Sequence, residues 1–212
     1  MKKLFSIVLS LLMVFSMTVA VSAKEYVSRS GWQVKASSER TSENFTADRV
    51  IDGDDKTYWH TDYVNDSDKD EAPFYLTFYL PQKTTVSGFE YVPRQGNTTG
   101  VVTAYNIYAS EADTGEAILI YSGTFEDNTD TKQANFGFNI DVKTVIFEIT
   151  VGKWGYGACA EFNLLAAEGS TKKTIEQANK GKKFTIGSDT ASNVASDKEY
   201  VSRSGWKVKA SI

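Results

Sequence analysis

"FYLTFYLPQKTTVSGFEYVP", residues 74–93, holds two strand-length runs, 74–80 and 86–92, each closed by a proline. Aromatic and β-branched residues crowd both runs, and proline ends a ladder because it has no N–H to donate. The same texture recurs at 104–110, 117–125, 134–140, 144–151 and 160–166. Several of these runs alternate in polarity. Tyr105, Ile107 and Ala109 fall on one face, with Asn106, Tyr108 and Ser110 on the other. Clusters such as Asp113-Thr114-Gly115 and Asp127-Asn128-Thr129-Asp130 supply the turns between them. No stretch keeps a helical period. Many short strands at regular spacing predict an all-β protein, a sandwich of two antiparallel sheets.

The flanks read differently. Residues 1–23 combine Lys2 and Lys3, an apolar run and Val21-Ser22-Ala23, the pattern of a secretory signal peptide rather than of a membrane anchor. Without Lys2 and Lys3 the 23 basic residues fall to 21 against 27 acidic ones, a net charge of −6. That balance argues against a nucleic acid or an anionic membrane as partner. The single cysteine, Cys159, excludes an internal disulfide and reads as a small core hydrophobe. Export without a disulfide suits a bacterial protein. Residues 169–197 are rich in Lys, Thr, Ser and Asn, with Ile175, Phe184 and Ile186 as the strong apolar residues. They read as a flexible linker with a helical turn near 174–178. After it, "KEYVSRSGWKVKAS" at 198–211 repeats "KEYVSRSGWQVKAS" at 24–37 in thirteen of fourteen positions. Residues 24–168 then form one domain and 198–212 the truncated start of a second, in a protein tethered to further modules. The two copies could also compete for one place, within a chain or between chains.

Candidate chemistry gathers in four places. Asp52-Gly53-Asp54-Asp55-Lys56-Thr57 aims oxygens around a tight turn, which suits a hard cation, although an isolated acidic turn is more often only solvated. Its spacing departs from the EF-hand loop. The acidic run 66–71 lacks a glycine and a closing ligand and reads as a solvated loop. In Tyr58-Trp59-His60-Thr61-Asp62-Tyr63, an inward Trp59 would turn His60 outward by alternation, beside the ring of Tyr63. A polar group next to an aromatic plate is what a sugar requires, while a histidine satisfied by the backbone fits these residues equally well. Pro93-Arg94-Gln95-Gly96-Asn97 places a planar guanidinium at the start of a loop, for vicinal hydroxyls or for a buried ion pair. Trp154 and Tyr156 sit between glycines, where either ring could wall a pocket or join the core.

"RVIDGDDKTYWHT", "GFEYVPRQGN", "YNIYAS" and "ACAEFNLL" occur in this order, and together they resemble the discoidin or factor V/VIII type C domain, known in bacterial enzymes as carbohydrate-binding module family 32. The likeness covers Trp32 to about Ala167 and leans to the galactose-binding branch found on sialidases and galactose oxidase. It implies a jelly-roll sandwich of about eight strands. It also implies a structural calcium, with sodium as the alternative. The ligands would be the carbonyls of Arg49, Asp54 and Ala160, the carboxylates of Asp52 and Glu161, and both oxygens of Thr57. For the sugar it implies a loop site with His60, Tyr63 as the stacking ring, Arg94 and Glu43, where Glu39 could replace Glu43 after a small gap; Asn97, Trp154 and Tyr156 are the further candidates. Tyr63 stands where the family often carries Trp, and Thr98 or Thr99 stands where an aromatic is sometimes found.

The expectation is therefore a secreted, non-catalytic module for terminal galactose or N-acetylgalactosamine on host or dietary glycans. Its single-site affinity would be roughly millimolar to tens of micromolar, because the contact is small. An adhesion module of the same fold without a sugar site is the alternative. No nucleophile–base set marks an enzyme.

Overall fold

The computed structural model describes residues 25–63, 70–186 and 194–195. The expected signal peptide, most of the 66–71 run and the second copy at 198–212 lie outside the described residues. The strands are β1 (Gln33–Ala36), β2 (Trp59–His60), β3 (Phe74–Val92), β4 (Val102–Ser110), β5 (Gly115–Thr124), β6 (Lys132–Gly152), β7 (Ala158–Cys159) and β8 (Glu161–Ala166). They are followed by β9 (Lys172–Lys173), helix α1 (Ile175–Ala178), β10 (Lys183–Ile186) and β11 (Val194–Ala195). Hydrogen-bonded neighbours run β1-β3-β6-β4-β5-β10-β11, with β8 also on β3 and β9 on β6; β2 and β7 form a separate small ladder.

The runs at 74–80 and 86–92 belong to one strand, and so do those at 134–140 and 144–151. Pro81 does not end β3. Pro81, Gln82 and Lys83 are exposed, and the β3–β6 register shifts between Tyr79 and Thr84. A missing N–H is tolerated where the ladder is already interrupted. The first half of β3 pairs with β1 and with 144–149 of β6, the second half with β8 and with 132–142. Bending this long pair builds both layers of the sandwich from the same two strands. Their inner faces meet in an aromatic core, where Phe78 stacks on Phe162 at 4.3 Å and Phe89 lies 5.6 Å from Phe147 and 5.3 Å from Phe162. Gly88 marks a close crossing, since a Cβ there would stand 2.2 Å from the Ala134 carbonyl. Cys159 is buried in this core, and burial pushes its thiol far above the usual range.

Residues 25–36 lace the two layers together at one side. Ala166 N–H donates to the Glu25 carbonyl and Val27 N–H to the Leu164 carbonyl, beside β8; then β1 pairs with β3. Trp32 buries its ring edge-on against Phe78, the core anchor expected of this segment.

The linker reading of 169–197 is corrected over residues 172–186. Asn139 donates its amide to the carbonyls of Glu168 and Ser170, and β9 pairs beside it. Helix α1 starts on a capping box between Thr174 and Gln177, at the helical turn expected there. β10 then adds an antiparallel strand to β5, so Phe184 packs 4.9 Å from Tyr75 and 5.9 Å from Tyr108, with Ile186 buried beside them. The outward face of β4 is thus a second apolar layer. Beneath it, the buried Glu148 carboxylate accepts from Tyr75, Asn106 and Tyr108. Phe184 and Ile186 suffice because a sheet face awaits them, while Ile175 packs against the main core; the composition of the segment alone reveals neither. Among the described residues no helix is long and apolar enough to cross a membrane.

Candidate functional site

The β2–β7 ladder sets the sugar-site candidates. Trp59 pairs with Cys159 and His60 with Ala158, while Thr61 N–H donates to the Gly157 carbonyl. Trp59 is fully buried and donates its indole N–H to Ser38 O at 2.8 Å. His60 does not turn outward as alternation predicted; it is only 2 % exposed. A two-residue strand has no free face when loops cover both sides. Tyr63 closes over the imidazole at 5.2 Å and Tyr156 at 5.4 Å, and these two tyrosines lie 5.8 Å apart. Phe45 stands behind, stacked on Tyr58 at 4.4 Å.

The imidazole is held in one tautomer. Nδ1 lies 2.8 Å from the Thr61 carbonyl, which can only accept, so Nδ1 carries the proton and Nε2 presents its lone pair. Among the described residues no buried side-chain nitrogen or oxygen lacks a partner, and no hydrogen bond between them engages Nε2. Burial lowers the His60 pKa below its usual value and the Arg94 charge adds to this; the Thr61 carbonyl and Glu43 oppose. The ring is therefore a neutral acceptor at neutral pH.

Arg94 and Glu43 flank this cluster. The Arg94 guanidinium lies over the Tyr58 ring at 4.4 Å, and among the described residues no carboxylate pairs with it. Glu43, in a short 3-10 turn, accepts from Arg40 Nε at 3.1 Å, and its charge acts on both His60 and Tyr58. Glu39 faces elsewhere: its carboxylate accepts from Ala47 N–H at 2.8 Å. The geometry thus separates the two acidic candidates. Asn97 is exposed and spends its carbonyl oxygen on the Thr99 N–H and hydroxyl, closing its own turn. Trp154 is 63 % exposed, with a left-handed backbone at φ 60°.

Arg40 and Tyr58 were missed from the sequence. Arg40 bonds Asp62 and the Tyr63 carbonyl while lying over the Tyr63 ring at 4.8 Å, which fixes the tyrosine beside His60. Tyr58 has the same parity as His60, a signal that alternation offered. Together the site presents aromatic faces, one acceptor nitrogen, a planar donor and a carboxylate.

The acidic turn lies at the start of β8. The Asp52 carboxylate accepts from Thr57 Oγ1 at 2.6 Å and from Asp54 N–H at 2.9 Å, and the Thr57 hydroxyl lies 3.1 Å from the Asp54 carbonyl. Glu161, 6 % exposed, accepts from Gly53 N–H at 2.7 Å and pairs with Arg29. Burial would raise Asp52, but the Thr57 hydroxyl, the Asp54 N–H and Arg49 outweigh it and hold its pKa low. Burial raises Glu161, and the nearby Asp52 charge adds to that. Ala160 is buried next to Glu161, its N–H donating to Val92 O. The described residues hold no cluster of three or more His, Cys, Asp or Glu side chains suited to a metal. The donors that converge here are instead oxygens of mixed type, two carboxylates with a hydroxyl and a carbonyl. Their chemistry fits a hard cation.

With the layers, the aromatic end and the acidic turn in place, comparison with known proteins is direct: residues 33–162 match the F5/8 type C domain family, and the chain belongs to it. A family 32 carbohydrate-binding module from Clostridium perfringens, solved in complex with galactose, is 29% identical. It superposes with a TM-score of 0.60, over 68% of this chain and 99% of that one. A second module from Clostridium perfringens, in complex with GalNAc-β-1,3-galactose, is 28% identical at a TM-score of 0.59, over 64% of this chain and 95% of that one. Among curated relatives, an A type blood N-acetyl-α-D-galactosamine deacetylase of Flavonifractor plautii is 37% identical over 122 residues, which make up 57% of this chain. A galactose oxidase of Gibberella zeae is 30% identical over 111 residues, 52% of this chain. The matched parts span only 15% and 16% of those two relatives. The fold is the galactose-binding-like β-sandwich, and the domain is of the carbohydrate-binding-module type.

Proposed function

We propose that this protein is a secreted, non-catalytic module that binds terminal galactose or N-acetylgalactosamine. The observation that carries this reading is the joining of neutral His60, Tyr63 and Tyr156 in one ring cluster beside an Arg94 that lies over the Tyr58 ring. A pyranose would lay its C–H face on Tyr63. One hydroxyl would donate to His60 Nε2, and others would bond to Arg94 and Glu43. Trp154 would extend the contact along a longer glycan. The two modules from Clostridium perfringens, solved with galactose-containing ligands, support this ligand class. Among the described residues these groups hold hydroxyls and present no nucleophile with an adjacent base, which supports binding rather than reaction. The acidic turn would hold calcium, or sodium, through the carboxylates of Asp52 and Glu161, the carbonyls of Arg49, Asp54 and Ala160, and the oxygens of Thr57. Such an ion would pin the turn to β8.

Isothermal titration with galactose, N-acetylgalactosamine and glucose tests the reading. The galactosides should bind in the millimolar to micromolar range, roughly as small sugar contacts do. Glucose, with its 4-hydroxyl equatorial, should bind more weakly. Equal silence from all three sugars, with retained adhesion to glycan-free protein surfaces, would point to the adhesion alternative.

A further inference from the structure

The second copy of the opening segment repeats residues whose part in the first copy the structure defines. Residues 25–36 pair with the free edges of β8 and β3. Tyr26 donates its hydroxyl to Glu90 at 2.7 Å, and Arg29 pairs with the buried Glu161. Gly31 turns the chain at φ 77°, and Trp32 enters the core against Phe78. The half-buried Val34 and Ala36 then pack on the core. At 198–211 each of these residues recurs, as Tyr200, Arg203, Gly205, Trp206, Val208 and Ala210. The one difference is Lys207 in place of Gln33, and Gln33 is an exposed position of β1. Every side chain that the slot recognises is therefore present twice, and the only change falls where the slot makes no demand.

The slot begins beside β8, where residue 198 would take the place of residue 24, and ends at β1, which stands at the opposite end of the strand order from β11. Residue 198 follows Ala195 by three residues, which span at most about 11 Å. We propose that residues 198–211 are a second strand of the β1 type that docks in trans, on the β3 and β8 edges of another copy of this chain, in exchange for its residues 24–37. The exchange conserves each contact of the slot, so its balance is set by protein concentration and by how firmly the resident segment is held. Reciprocal exchange closes a dimer, and one-way exchange builds an open chain. Either form would present several sugar sites at once.

The test uses the full chain. Trp32→Ala loosens the resident segment and leaves the second copy intact, so sedimentation velocity should show dimers or longer species that grow with concentration. Adding Trp206→Ala to the same chain should return it to monomer. Because Trp32→Ala could also unfold the protein, a labelled peptide of residues 198–211 is offered to the intact chain in parallel. Fluorescence anisotropy should show its capture, and the peptide carrying Trp206→Ala should bind about a hundredfold more weakly, as loss of a buried tryptophan requires. Capture of the peptide supports the exchange whichever way Trp32→Ala folds. A labelled peptide that stays free at every concentration overturns it, as do single and double variants that sediment alike as folded monomers.

Discussion

At His60 the decisive quantity is a lone pair. Nδ1 is tied to the Thr61 carbonyl, so Nε2 can receive a sugar hydroxyl as long as the ring stays neutral. Burial holds the folded pKa below the ordinary 6.5. The sign then follows: the unfolded chain takes up the proton first as pH falls below 6.5, so stability from this residue is complete above that value and declines beneath it. Galactose affinity should be level between pH 8 and 6.5 and fall only at lower pH, through the depressed folded pKa; titration calorimetry across that range checks this. A midpoint above 6.5 would contradict the buried, neutral ring. His60→Ala removes acceptor and packing together and should weaken galactose binding at least about tenfold, equivalent to about 1.4 kcal/mol. Arg94→Lys keeps the charge but loses the planar fork and the stack on Tyr58, so it should bind measurably more weakly than the parent with an unchanged fold. His60, Tyr63 and Arg94 were legible because each sits in a short motif. Arg40 was not, since it acts by bonding Asp62 and Tyr63, more than twenty positions further along the chain.

Among the elements, β10 matters most, because a polar composition hid it. Phe184 covers Tyr75 and Tyr108 above the Glu148 carboxylate, and Ile186 is buried beside them. Phe184→Ala should cost about 2 kcal/mol, toward the lower end for a large apolar side chain that keeps some exposure. Ending the chain after Glu168 should cost more and open the Tyr108 layer to solvent. Urea unfolding followed by tyrosine fluorescence measures both; a truncated chain as stable as the parent would return residues 172–186 to the status of a linker. The strands of the main sandwich were readable from alternation and from turn residues. The joining of 74–80 to 86–92 was not, because whether Pro81 breaks a strand depends on whether a partner N–H is required at that point.

For the whole molecule, the acidic turn and the opening segment together govern cohesion. Asp52 and Glu161 bring two carboxylates to the junction of a loop with β8, where Arg49 pairs with the first and Arg29 with the second. The Thr57 hydroxyl and the Asp54 carbonyl beside Asp52 add further oxygens. A bound divalent cation should therefore stabilise the fold. Calcium added to chelator-treated protein should raise the melting temperature by several degrees, roughly what a kcal/mol is worth in a domain of this size. Asp52→Asn should abolish that rise. Calcium without effect on the parent would leave Arg29 as the sole counter-charge of Glu161. By itself the sequence determined the all-β class, the order of the strand segments and the motifs of both candidate sites, because period-two alternation, turn chemistry and short motifs are local properties. Only the tertiary structure decided that His60 is buried, that Glu39 is spent on the Ala47 N–H while Glu43 bears on His60 by its charge, and that residues 172–186 complete a second layer. Each of those outcomes depends on which distant surface comes to lie against the residue, and burial is a property of that pairing rather than of the residue alone.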